Sequence, residues 1–128
     1  MAIFTRLLLA IGALTAAALA LSILFLPVPF YSGYGIAVGA EVSLLNELKA
    51  PALLILALGL IQAVGLVQAR YQQVGVAAGL LLYLSFGLSR LVAILTDGPP
   101  SPALIWVAVV ELTLGGAFAL ALWRLRRG

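Results

Sequence analysis

Two charged residues stand deep inside apolar runs, Arg90 within GLSRLVAILTDGPPS and Glu111 within ALIWVAVVELTLGG. A lone charge at bilayer depth costs about 2.5–3.5 kcal/mol even on the lenient insertion scale, so each of them needs a partner or a function. A third polar group, Asn46, Glu47 and Lys49, precedes Pro51 in NELKAP, and Asp97 closes the run that holds Arg90. Together these six residues offer a guanidinium, an amine, an amide and three carboxylates. That set can bind a small polar or anionic ligand or a lipid headgroup, and in principle can move protons.

Other chemistry is absent by composition. The chain has no Cys and no His, which excludes disulfides, thiolate sites and imidazole ligation. No nucleotide loop or activated nucleophile is present, so no cofactor and no metal are expected, and an enzymatic role ranks last. The net charge of +3 rests on seven Lys and Arg that form no basic groove, so no nucleic-acid partner is expected.

The elements that must carry these residues are membrane spans. Of 128 residues, 65% are hydrophobic and only 9% are charged, a balance that suits lipid rather than water. Four apolar stretches, at about 7–26, 46–67, 74–95 and 103–122, each approach the roughly 20 residues that a crossing helix needs. The fold class expected is an all-α, four-transmembrane-helix bundle forming a single domain over 1–128. The first stretch runs on past a signal-like Ala18-Leu19-Ala20 to Pro27, so it reads as a retained helix. Small residues recur at four-residue spacing, as in Gly12, Ala16 and Ala20, or Gly75 and Gly79, and would let backbones approach closely.

Charge sets the orientation. Arg6, Arg70, Arg124, Arg126 and Arg127 fall at one set of span ends, and every acidic residue falls toward the other. The positive-inside rule then places both termini in the cytoplasm of a multi-pass protein of the bacterial inner membrane.

Span three runs outward and span four returns, which puts Arg90 about 7–8 Å and Glu111 about 12 Å below the outer ends. Side chains lean toward the helix N-terminus, so Arg90 leans in and Glu111 leans out. An Arg90–Glu111 ion pair facing the bundle interior is the expectation. Ser43 is expected to cap span two, with Pro51 kinking its first turns, and Asp97 or Ser101 to cap span four. Residues 27–40, with Phe30, Tyr31 and Tyr34 among glycines and prolines, form an outer loop that is either a lid over the polar cluster or an interfacial anchor.

NELKAPALLILALGL followed by GLSRLVAILTDGPPSPALIWVAVVELTLG resembles an uncharacterised bacterial domain-of-unknown-function family of small four-helix inner-membrane proteins. The resemblance rests on Asn46, Glu47, Lys49 and Ala50, on Gly87, Arg90 and Leu91, on Asp97, Gly98, Pro100 and Ser101, and on Glu111. The family's basic position is often Arg, and Lys49 departs from it. The architecture is also similar to the broader DoxX-like group of four-helix membrane proteins. Neither resemblance brings an activity. The expected function is binding of a small polar or anionic ligand or headgroup at Asn46, Glu47, Lys49, Arg90, Asp97 and Glu111. The alternative is a structural or accessory subunit, in which the cluster serves helix packing. Membrane lipids are the expected partners, with a homo-oligomer or a larger membrane complex also compatible.

Overall fold

Where leucine covers every face of a helix, the smallest side chains decide which face turns inward. The computed structural model of the protein, which describes residues 1–128, shows small residues on the inward faces, with a few large ones such as Leu9, Leu82 and Phe118 between them. Its helices are α1 (Ile3–Phe25), α2 (Pro27–Ser32), α3 (Val42–Lys49), α4 (Ala52–Val67), α5 (Gln72–Asp97) and α6 (Pro102–Arg127), with one 3-10 turn at Ala69–Tyr71 and no strand. Four stretches are long and apolar enough to cross a membrane: Ile3–Phe25, Val42–Val67, Ala69–Asp97 and Pro102–Arg127. Leu14, Leu53, Leu54, Leu60, Leu81 and Val92 point outward, while Gly12, Ala16, Ala20, Gly59, Gly75, Gly79 and Gly115 are buried. In lipid such helices gain little by hiding leucine from their surroundings, and close backbone packing holds them together instead.

The helices neighbour one another in the order α1, α4, α5, α6, with α1 against α4 and α5 against α6 most closely packed. A Cβ on Gly59 would come within 2.8 Å of the Ala16 Cβ, and one on Gly65 within 3.0 Å of the Gly75 Cα. These glycines set the α1–α4 and α4–α5 spacings. Phe118 of α6 fills the centre, where a Cβ on either Gly12 or Gly79 would strike its ring. Both termini and the 3-10 turn lie at one end of the bundle, here the terminal end. The other, the loop end, holds α2, α3 and the α5–α6 turn.

The spans extend beyond the expected bounds at most ends, because Gln, Arg and Thr at their margins are tolerable helix formers that keep the ladder intact. Span two begins at Val42, not Asn46, and Glu41 rather than Ser43 occupies the N-cap position, with no side-chain cap bond. Glu41 is exposed, so solvent can satisfy the free N–H groups there. The disturbance at Pro51, expected as a kink, is a full break: α3 ends at Lys49 and α4 begins at Ala52. The Ala50 N–H still bonds the Asn46 carbonyl at 3.0 Å, Pro51 has no N–H to offer that of Glu47, and the next ladder starts when Ile55 N–H reaches the Pro51 carbonyl at 3.1 Å. Gly98, with φ +94°, stops α5, and Pro102 at the first turn starts α6.

Candidate functional site

Close packing of α5 on α6 places the two buried charges. A Cβ on Gly87 would meet Leu112 Cδ2 at 2.8 Å, and one on Gly115 the Leu84 backbone at 2.9 Å. Just to the loop side of those contacts, Arg90 Nε donates to Glu111 Oε1 at 2.5 Å. The expected ion pair is therefore present, and it ties the two helices with a single charge-assisted bond rather than a two-pronged one.

That geometry leaves donors over. Arg90 makes no other hydrogen bond, and its terminal amines are not sealed from solvent, since the one buried side-chain polar atom without a partner is Gln62 Oε1. The Arg90 side chain is 33% exposed while that of Glu111 is 10% exposed, so the arginine is the more accessible partner of a carboxylate that is almost enclosed.

The loop expected as lid or anchor folds first into α2. Phe30 packs edge-on against Tyr31 and Tyr34, with ring centroids 5.1 and 5.2 Å apart. Burial holds the Tyr31 phenol above its ordinary range, the Arg90 charge pulls the other way, and Tyr34 adds a smaller push upward. Arg90 thus acts electrostatically on this loop. Ser101 stands at the N-cap position of α6 but makes no cap bond. Its hydroxyl instead donates to the Tyr34 carbonyl at 2.7 Å, fastening the first loop to the start of the last helix. Asp97 ends α5 and caps nothing, because Gly98 redirects the chain before α6 begins.

The remaining predicted site residues are at the loop end but are not joined to the pair. Asn46 and Glu47 are exposed on α3, Lys49 is half-buried at its C-terminus, and Asp97 is exposed. None of the four forms a side-chain hydrogen bond or ion pair, and Arg90–Glu111 is the single salt bridge. No three acidic residues gather as metal ligands would.

Two buried polar residues lie closer to the middle of the bundle. The Tyr83 hydroxyl donates to the Gly12 carbonyl at 2.5 Å, and its ring stacks on Phe118 at 5.9 Å. Gln62 is fully buried; its Nε2 donates to the Leu58 carbonyl at 3.2 Å, and its Oε1 rests against Gly12, leaving no room there for a side chain. Tyr83 was not marked out by spacing. Its signal is a hydroxyl in a leucine run, which at bilayer depth must find an acceptor on another helix or on its own.

Neither curated proteins nor solved structures match this chain. The family described as Domain of unknown function (DUF4345) matches residues 4–122, which takes in the second and third spans, nearly all of the first, most of the fourth, the Arg90–Glu111 pair and the loop above it. The protein is a member of that family.

Proposed function

We propose that the protein is a multi-pass protein of the bacterial inner membrane, with both termini cytoplasmic, that binds an acceptor oxygen at Arg90. The oxygen would belong to a small polar or anionic ligand or to a lipid headgroup. One observation carries this reading: Arg90 uses only Nε on Glu111 and presents its terminal amines, unbonded and accessible, from within a span. An arginine kept for packing alone would be expected to use its full fork on the carboxylate. Glu111 in this reading orients the guanidinium and offsets part of its charge. Tyr31 lies within electrostatic reach of Arg90, and Lys49, Asn46, Glu47 and Asp97 stand at the same end of the bundle. The asymmetric arginines support the orientation.

The second reading, a structural or accessory subunit, is favoured by one fact. The pair bonds the two most closely packed helices, α5 and α6. Native mass spectrometry of protein ejected from membranes separates the two. Binding at Arg90 predicts a bound species that is lost in Arg90→Met. Bare protein, or an adduct that Arg90→Met retains, favours the structural reading.

A further inference from the structure

A second feature lies at the terminal end, away from Arg90. An open groove of about 290 Å³ runs between α5 and α6, lined by Leu80, Ala119, Leu122 and Trp123, with Arg126 and Arg127 at its end. Arg127 lies over the Trp123 ring, 4.7 Å from its centroid, a cation–π contact that favours keeping its charge at the rim. A companion groove of about 260 Å³ between α4 and α5 has only Leu60, Ile61, Val64, Tyr71 and Val74 for walls. The second groove has one arginine nearby, Arg70 over the Tyr71 ring at 4.6 Å, whereas the first has two cations in its own lining.

We infer that the α5–α6 groove is a binding site for one anionic phospholipid, with an acyl chain along Leu80, Ala119 and Leu122 and the phosphate at Arg126 and Arg127. Charge complementarity selects this occupant. The terminal end carries Arg6, Arg70, Arg124, Arg126 and Arg127 and no acidic residue, so a zwitterionic lipid gains less there than an anionic one. The apolar walls open onto the side of the bundle that meets hydrocarbon, which excludes a free phosphate as the natural ligand because it would have nothing to place on them. Trp123 marks the boundary level at which headgroup and chain meet.

Trp123 is also the reporter. The other tryptophan, Trp106, is exposed near the opposite end of α6, and Trp106→Phe leaves Trp123 as the sole indole. The protein is reconstituted in phosphatidylcholine vesicles containing a minority of phosphatidylglycerol, with one lipid or the other dibrominated on its chains. Brominated phosphatidylglycerol is expected to quench Trp123 beyond its mole fraction, and brominated phosphatidylcholine correspondingly less. Arg126→Gln with Arg127→Gln lowers the selectivity about thirty-fold, the factor matching about 1 kcal/mol for each basic side chain at an anionic surface. Ala119→Phe, which fills the groove, abolishes the selectivity; Leu120→Phe, the same bulk on the neighbouring exposed position, preserves it. Quenching in proportion to mole fraction in the Trp106→Phe protein overturns the site. So does selectivity that survives Ala119→Phe, because a diffuse attraction to the arginines would not notice the groove.

Discussion

Removing the two partners of the intramembrane pair one at a time has unequal consequences. Glu111 is nearly enclosed, with 10% of its side chain exposed, whereas the Arg90 side chain is 33% exposed. Arg90→Met therefore strands a carboxylate that must be buried charged or take up a proton, at a cost of about 3 kcal/mol, the low end for breaking a buried pair. Glu111→Leu strands a guanidinium about 10 Å from the end of α5, whose long stem can carry it toward the interface, and costs about 1–2 kcal/mol. The double variant replaces both charges with apolar groups of similar length and stays within about 1 kcal/mol of the parent. The two single costs sum to about 4–5 kcal/mol, so the coupling is about 3–6 kcal/mol. Reversible unfolding in mixed micelles, followed by helix content, measures all four proteins. Additive single effects, or a larger cost for Glu111→Leu than for Arg90→Met, would refute the reasoning about burial and pairing.

Three further outcomes follow from the same geometry. Tyr83→Phe removes the only donor from α5 to the Gly12 carbonyl of α1 and costs about 1 kcal/mol in the same unfolding assay, with the ring stack on Phe118 retained. Tyr31 ionises at higher pH than a free phenol at about 10, and Arg90→Met moves it higher still by removing the charge that favours phenolate; ultraviolet titration against Tyr31→Phe reads both. Because the chain has no Cys, Pro99→Cys, at an exposed turn position, and Gly128→Cys report topology cleanly. The first is labelled from outside the cell and the second only after the membrane is opened, and labelling of both from one side reverses the orientation.

Much of the framework was legible because span length and charge depth depend on counting. Four runs of apolar residues gave four crossing-length helices, and depth along α5 and α6 placed Arg90 beside Glu111. What counting could not supply was rotational phase. A helix with leucine on every side has no apolar stripe, so its period does not tell which face is inside. The small-residue spacing supplied part of that phase: Gly12, Ala16 and Ala20 do face the core. It was silent on Tyr83 and Gln62, whose partners are backbone carbonyls that no side-chain pattern encodes. The cap expected at Ser43 falls at Glu41 instead, and Ser101 holds its expected N-cap position without making the side-chain bond. Local sequence predicts a cap only if nothing farther away competes, and Ser101 is taken by the Tyr34 carbonyl, 67 residues back along the chain. The disturbance at Pro51 was legible because it follows from a missing N–H.

The central claim is that the terminal amines of Arg90 receive an acceptor oxygen. The most direct measurement is the guanidinium nitrogen NMR signal of Arg90, assigned by its loss in Arg90→Met. It would be followed in protein carrying Arg126→Gln and Arg127→Gln, so that the terminal end contributes little. Titration with inorganic phosphate, and separately with a short-chain anionic phospholipid, is predicted to shift the Arg90 signal saturably with at least one of them, and the choice between the two identifies a soluble or a lipid ligand. An Arg90 signal that neither titrant moves, while the Nε bond to Glu111 stays intact, would contradict the account.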